Sequence, residues 1–261
     1  MISVVIPVFN NQRSIKLVIE SVVKNLKKND ELIIIDDHST DGTWQILRSF
    51  KEKEFEFSFV LLRNKENLGI SPTLNIGIKL ASKEFIVRHD GDDIMIFGRL
   101  KHQIKLIKSN SKIDLISSSK IIFKKYPISK KIPSIKHSSK DLKIINKNDL
   151  ALNNLITHPA IICRAKVLKE NLYNNSYNCD GEDYQLWLRL IIKGYKLYLD
   201  STPVIMYYEN NYYSKIKKQL IGSIKLRINM INFNFPIFSL YLLLGSLNDF
   251  LRLIYKFSIY E

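Results

Sequence analysis

An α/β fold with a mostly parallel central sheet flanked by helices is what this chain predicts, on three observations. From Ser3 to Ser119 short apolar runs alternate with segments of helical period, the pattern of strands joined by crossover helices. Each apolar run is followed directly by polar residues, many of them carboxylates. With 261 residues and 46% hydrophobic content, the chain has enough apolar surface to bury a sizeable core, as one large domain or as one domain with an appendage.

The elements can be taken in order. Residues 3–8 read as the first strand, and Ile15, Val18, Ile19, Val22 and Leu26 then recur at three- and four-residue steps, marking one apolar helix face. After a second strand at 31–35, Asp41 is the expected N-cap of a helix burying Trp44, Leu47 and Phe50. A third strand spans 58–62. Ser71 and Pro72 behind it suit an N-cap and a first helical position, where proline's missing N–H is no loss. Strands at 85–87 and 114–117 follow. Beyond Lys120 the alternation lapses into a lysine-rich stretch and resumes with the apolar run 155–163, interrupted by Thr157-His158-Pro159. Glu182-Asp183 then opens an amphipathic helix with Leu186, Trp187, Leu190 and Ile191 on its apolar face and Gly194 as its stop.

The formal net charge of +15 calls for an anionic partner: nucleic acid, anionic lipid or a phosphorylated substrate. Residues 120–150 hold nine lysines against Asp141 and Asp149, and residues 212–232 hold Lys215, Lys217, Lys218, Lys225 and Arg227 without an acid. These runs contain no nucleic-acid recognition motif and no aromatic platform, so nucleic acid is not the expected partner; a basic nucleic-acid-associated protein is kept as an alternative from another class. Met1 leads straight into a strand without the tripartite pattern of a signal peptide, which predicts a cytoplasmic protein. Cys163 and Cys179 lack metal-type spacing and are expected to be reduced thiols.

The run Arg88-His89-Asp90-Gly91-Asp92-Asp93 places three carboxylates within four residues at the end of an apolar strand. Such carboxylates repel one another unless a cation lies between them. A hard divalent ion, Mn2+ or Mg2+, takes oxygen ligands and commonly bridges protein carboxylates to substrate phosphates; a solvated acidic turn is the other reading. In open α/β sheets ligands bind beyond the carboxyl ends of the strands, and there the chain sets Asn10, Asp36, Asp37, Arg63, Asn64, Asp90, Asp92 and Asp93. It has neither the glycine fingerprint of dinucleotide-binding folds nor a P-loop, so a nucleotide would be held in another way. Asp183, in a first helical turn, has the ionised form a general base needs; ordinary capping explains it as well.

Taken together, Val4-Val5-Ile6-Pro7-Val8-Phe9-Asn10, Ile33-Ile34-Ile35-Asp36-Asp37-His38-Ser39-Thr40-Asp41-Gly42-Thr43 and Asn67-Leu68-Gly69-Ile70 resemble family 2 glycosyltransferases of the GT-A fold. The acidic run, Arg99-Leu100-Lys101-His102-Gln103, Thr157-His158-Pro159-Ala160 and Gly181-Glu182-Asp183-Tyr184 follow in the same order as in bacterial capsule and O-antigen members. The resemblance covers about residues 1–210. It implies an inverting transfer from a UDP-sugar to a hydroxyl of a glycan or lipid-linked oligosaccharide; a metal-dependent nucleotide-sugar phosphohydrolase is the enzymatic alternative. It also implies roles. Asp37, with Asp36, meets the uracil; Pro7, Phe9, Asn10, Asn67 and Gly69 line that pocket. Asp92 is a metal ligand, Asp90 contacts metal or ribose, His158 completes the metal shell or lines the acceptor path, and Arg88 faces sugar or phosphates or pairs with its acidic neighbours. Asp93 is expected to be structural. Asp183 is the catalytic base and Glu182 positions it or the acceptor. One departure is Tyr207-Tyr208-Glu209, where such proteins often have a Tyr-Arg pair.

The expected organisation is a GT-A domain over 1–210, with a nucleotide-sugar half at 1–119 and an acceptor half at 120–210, and a helical extension over 211–261. In the extension Ile216, Leu220, Ile221, Ile224, Ile228 and Ile231 fall at helical steps among Lys215, Lys218, Lys225 and Arg227. This reads as an interfacial helix on the inner face of the cell membrane, a helical cap or a dimer contact. The apolar run 236–247 is too short for a bilayer core, which needs about 20 residues.

Overall fold

The computed structural model describes residues 1–125, 132–135, 142–174, 181–209, 212–230 and 236–258. They form two compact units. The first comprises Met1–Lys143, Thr157–Tyr173 and Lys196–Glu209, the second Ile144–Ile156, Asn174–Tyr195 and Asn210–Glu261. Cys179, Lys130 and Ile231 lie outside the described residues, as do the side chains of Lys215, Ile216 and Lys218.

The first unit is built on a sheet of β1 (Ile2–Val8), β2 (Glu31–Asp36), β3 (Ser58–Arg63), β4 (Phe85–Arg88), β5 (Ile94–Met95), β6 (Leu115–Phe123), β7 (Leu142–Ile144), β8 (Ile161–Arg164) and β9 (Leu197–Tyr208). Their order is β3-β2-β1-β4-β8-β6-β9-β5, with β7 beside β9. β3, β2, β1 and β4 run parallel, β8 is antiparallel to β4 and β6, and β9 runs parallel to β6. β1 and β2 are buried almost throughout, as parallel strands covered on both faces should be. Because β2 and β4 pair with opposite edges of β1, the strand order reverses at β1. A crevice opens beyond the carboxyl ends of strands at such a point.

The helices follow the expected periodicity, with shifts at their ends. In α1 (Ile15–Val23) Ile15, Val18, Ile19 and Val22 are buried, while Leu26 packs against the core from beyond the helix end. α2 (Thr43–Lys51) buries Leu47 and Phe50 and leaves Trp44 half-buried. Its N-cap is Gly42, not Asp41; the Asp41 carboxylate still serves the helix start by accepting the Thr43 N–H at 2.9 Å. α3 (Ile70–Leu80) begins two residues earlier than Ser71 and Pro72 suggest, with Gly69 as N-cap. Pro72 therefore sits third in the helix, where no intrahelical partner for its N–H is required. β6 extends to Phe123 instead of stopping near Ser117, because β9 pairs along its far half. α4 (Arg99–Lys108) and α6 (Ala165–Glu170) complete this unit, and Cys163 is a free, buried thiol whose pKa burial pushes up.

The second unit consists of α5 (Lys147–Leu152), α7 (Glu182–Ile192), α8 (Tyr212–Asn229) and α9 (Pro236–Ser258). α7 buries Leu186, Trp187, Leu188 and Leu190 and stops as expected at Gly194, whose φ is 89°. Gly194 N–H donates to Ile191 O and Tyr195 N–H to Leu190 O at 3.1 and 3.2 Å, the paired bonds of a glycine C-terminal cap. α8 and α9 share one unit with α5 and α7, and Arg227, read from sequence as part of an exposed basic face, is only 1% exposed. Its guanidinium donates to Ala151 O at 2.8 Å, Leu152 O at 3.0 Å and Gly245 O at 3.3 Å, and pairs with Asp249 at 2.5 Å. A buried guanidinium needs acceptors on all sides, and the carbonyls at the end of α5 supply them. No described helix is long and apolar enough to cross a membrane.

Arg227→Met should leave the Asp249 carboxylate buried without its main partner, lowering unfolding free energy by about 3–5 kcal/mol, while Arg227→Met with Asp249→Leu should recover most of that loss. Urea denaturation of both variants measures it.

Candidate active site

The end of β2 is organised by two buried carboxylates. Asp36 takes Arg63 Nε at 3.1 Å and the Ser39 N–H at 3.3 Å on each oxygen, and Arg63 also donates to Ser39 O at 2.8 Å. Asp37 accepts from Asn64 Nδ2 at 2.8 Å, Leu68 N–H at 2.9 Å and Gly69 N–H at 2.8 Å. These bonds draw the 64–69 loop onto the end of β2 and explain why α3 has Gly69 as its N-cap. Asn10, at the end of β1, has φ 52°, a left-handed conformation that asparagine tolerates. Its N–H donates to Ser39 Oγ at 2.9 Å and its Oδ1 accepts from Thr40 N–H at 2.8 Å. Pro7 is half-buried, whereas Phe9 is 46% exposed and Asn67 is exposed. The expected pocket residues Pro7, Phe9, Asn10, Asp36, Asp37, Asn67 and Gly69 therefore lie on β1 and on loops at one end of the parallel strands.

At the end of β4, ligand oxygens of Asp90, Asp92 and Asp93 lie within 4.8 Å of one another. Asp90 and Asp92 are half-buried and Asp93 is fully buried. Arg88 pairs with both Asp90 oxygens, its Nη1 donating to Oδ2 at 2.7 Å and its Nη2 to Oδ1. Burial works against the Arg88 charge, but Asp90, Tyr173 and Asp93 together outweigh it and raise the pKa. Asp93 Oδ1 accepts the Tyr208 N–H at 2.9 Å and so ties the acidic loop to β9; burial, then Asp90 and Asp92, push its pKa well up. Gly91 has a steric reason. A side chain there would come within 2.7 Å of Asn11 Oδ1, and the Gly91 carbonyl accepts from Ser14 Oγ at 2.9 Å.

Beneath this loop Arg99 is fully buried. It donates to Gln103 Oε1 at 2.9 Å, to Arg88 O at 3.0 Å and to Ile161 O at 3.3 Å, and its Nη1 lies 3.1 Å from His89 Nδ1. Burial brings its pKa down to about 9, against the pull of Asp93 and Asp90. Burial and then Arg99 hold His89 well below the usual imidazole range, so His89 is neutral. Gln103 extends the network to Ala160 O at 2.7 Å and Ser118 Oγ at 3.0 Å. Sequence reasoning assigned Arg99 and Gln103 no role; their signal was the i, i+4 spacing of two polar residues just behind an acidic run.

His158 is not one of the three clustered ligands. Its Nε2 is 2.6 Å from Tyr173 Oη, and burial, then Arg88, lower its pKa. Tyr173, which the sequence did not single out, is clamped by Asn75: Nδ2 donates to its carbonyl and Oδ1 accepts its N–H, both at 2.9 Å. In the second unit Glu182 and Asp183 open α7. Glu182 Oε2 accepts from Gly181 N–H at 3.2 Å; Asp183 Oδ1 accepts from Tyr184 N–H at 2.7 Å, and its Oδ2 lies 3.5 Å from Asn154 Nδ2.

A half-parallel sheet with a carboxylate pair after β2 and a three-carboxylate loop after β4 is the arrangement of GT-A glycosyltransferases, and solved structures agree with the fold. The mannosyltransferase PcManGT of Pyrobaculum calidifontis, in complex with GDP-Man and Mn2+, superposes with a TM-score of 0.71 at 14% identity over 94% of this chain and 68% of that one. Residues 1–349 of S. aureus TarS, in complex with UDP-GlcNAc, superpose with a TM-score of 0.63 at 18% identity over 88% of this chain and 66% of that one; the chain spans 40% of a longer TarS structure. Residues 3–172 match the model of glycosyl transferase family 2, and the chain belongs to that family. It is 31% identical over 194 residues to the Escherichia coli UDP-Glc:alpha-D-GlcNAc-diphosphoundecaprenol beta-1,3-glucosyltransferase WfgD, covering 73% of this chain and 70% of the relative.

Asp37→Ala removes the acceptor of three bonds from Asn64, Leu68 and Gly69. Hydrogen bonds to a charged group contribute about 1.5–3 kcal/mol each before relaxation, so a loss of at least about 2 kcal/mol in unfolding free energy is expected. Faster hydrogen exchange at the Leu68 and Gly69 amides should accompany it.

Proposed function

We propose that this enzyme transfers a sugar, with inversion, from a UDP-sugar to a hydroxyl of a glycan or lipid-linked oligosaccharide acceptor in surface polysaccharide synthesis in the cytoplasm. The observation that carries the reading is the convergence of Asp36-Asp37 and Asp90-Asp92-Asp93 at one end of the parallel strands. The names of WfgD and of the TarS complex support UDP-sugars and, for WfgD, a diphosphoundecaprenol-linked acceptor. PcManGT takes GDP-Man, so the fold alone does not select the base. Asp37 favours uracil: its Oδ2 receives the Gly69 N–H, and a carboxylate oxygen can accept a second bond, here from an imide N–H. Phe9, exposed beside it on the β1 loop, supplies an apolar surface for the base.

The carboxylate loop fits a hard divalent cation, since its oxygens lie within 4.8 Å and two of the three side chains are half-exposed. Asp92 would be the principal ligand, with Asp90 contributing while it is held by Arg88. His158 is left out of the proposed shell because its Nε2 engages Tyr173. Bound Mn2+ or Mg2+ supplies charge neutralisation at the diphosphate. Arg88, held in the charged form by Asp90, adds a fixed positive charge behind the acidic loop.

Asp183 acts as general base. It takes the proton of the acceptor hydroxyl as that oxygen attacks the anomeric carbon and the nucleoside diphosphate departs, in a single displacement without a covalent intermediate. Its place in the first turn of α7 favours the carboxylate, and the Tyr184 N–H fixes one oxygen. Glu182 positions the base or the acceptor. General-base catalysis of this kind contributes about 10² to 10⁴-fold, the remainder coming from positioning and charge stabilisation.

Asp92→Ala should weaken UDP binding in the presence of Mn2+ by at least about tenfold while the fold survives, because a carboxylate ligand is lost; unchanged affinity by calorimetry would remove Asp92 from the site. Asp183→Asn should instead reduce turnover by about 10² to 10⁴-fold with donor affinity near wild type. Release of UDP from a panel of nucleotide sugars, scored with both variants, separates the two roles and identifies the donor.

A further inference from the structure

α9 is a two-faced helix. Phe238, Leu242, Gly245, Ser246 and Asp249 point inward, all buried. Leu240, Leu243, Leu244, Leu247, Phe250 and Leu251 are 45 to 55% exposed. At 3.6 residues per turn these six fall within an arc of about 120° and extend over about 17 Å of helix. A contiguous apolar face of that size is uncommon on a protein without a partner for it. The sequence had placed the membrane-facing stripe on α8; the structure puts the larger one on α9.

The charge around the stripe points to the occupant. Arg252 follows it directly with its side chain 51% exposed, while the nearest acid, Asp249, is 5% exposed and paired with Arg227 and Arg252. On α8, Lys217 and Lys225 are exposed. A second copy would bring like charges together in a chain of net charge +15; an anionic surface would neutralise them. A helix with an apolar face, cationic flanks and too little apolar length to span is suited to lie in a bilayer interface.

We propose that the Leu240–Leu251 face of α9 inserts into the headgroup region of an anionic lipid bilayer, with Arg252 at its edge and Lys217 and Lys225 of α8 adding attraction. The inference goes beyond the glycosyl transfer proposed above and stands or falls separately from it.

The test is co-sedimentation of the full chain with vesicles of phosphatidylglycerol and phosphatidylcholine, and with phosphatidylcholine alone. Binding to the anionic vesicles is expected, weakened by high salt and far weaker on the neutral ones. Leu244→Gln with Leu247→Gln keeps the charge and removes apolar area; because both side chains are half-exposed, the fold should survive, which circular dichroism checks. Losing the exposed halves of two leucines from the inserted face should lower partitioning by about tenfold or more. Leu240→Gln with Leu251→Gln is a second pair at the ends of the stripe and should act in the same direction. Wild-type protein that ignores anionic vesicles, or folded variants that bind as well as wild type, would overturn the proposal. So would a concentration-dependent dimer, by sedimentation velocity, that both variants abolish, since a second copy would then cover the face. UDP release measured on the same variants with a soluble acceptor should be unchanged, which keeps this test separate from the catalytic reading.

Discussion

The structure depends on how positive charge is buried beneath a crowded set of carboxylates. Asp90, Asp92 and Asp93 could not be held so close in a folded loop without compensation, and the chain provides it from below. Arg88 grips Asp90 through both terminal nitrogens, and Arg99 lies deeper, bonded to the Arg88 carbonyl. Burying a guanidinium is unfavourable unless its donors are satisfied, so Arg99 in turn fixes Gln103, His89 and the Ile161 carbonyl. The β4–β8 pairing, the start of α4 and the acidic loop are therefore one electrostatic construction. The burial that lowers Arg99's proton affinity is opposed by the same carboxylates it supports.

The second unit uses the same device for a different end. Arg227 closes the gap between the end of α5, the Tyr184 hydroxyl on α7, and Asp249 on α9. Here two of the partners, Ala151 O and Leu152 O, are carbonyls at a helix terminus, groups that lack intrahelical donors and are suited to a guanidinium. Gly245 is part of the arrangement. A β-carbon there would stand 2.6 Å from the Ala151 carbonyl and 2.8 Å from Arg227 Nε, so α9 can approach α5 this closely only with glycine at that position.

Much of the first unit was legible because its strands are short, apolar and separated by helices of clear period, and because polar residues collect after each strand for a topological reason. Ends were less legible. Asp37 moves the N-cap of α3 from Ser71 to Gly69 through bonds spanning more than thirty residues, which no local capping pattern contains. The length of β6 was hidden likewise, since its far half is ordered by pairing with β9. At the site, carboxylates announced themselves by crowding, whereas Tyr173 did not: a tyrosine in an ordinary loop context carries no mark of burial. Arg227 shows the reverse error, a cation read as surface because the acid it pairs with, Asp249, lies 22 residues away.

The departure at Tyr207-Tyr208-Glu209 can be read in the same terms. Tyr208 meets Asp93 through its backbone N–H, a contact indifferent to the side chain, so the acidic loop keeps its tie to β9 whatever residue follows. Positive charge at this end of β9 is instead provided by the neighbouring strand: Lys120 Nζ stands 4.0 Å from the centre of the Tyr207 ring, and β6 and β9 pair in parallel there. An ammonium over an aromatic face is attracted by the ring quadrupole. The two supports differ in kind: the acidic loop is compensated by arginines fixed from below, Arg88 on Asp90 and Arg99 on the Arg88 carbonyl, whereas the cation over Tyr207 is carried in from β6 across the parallel pairing.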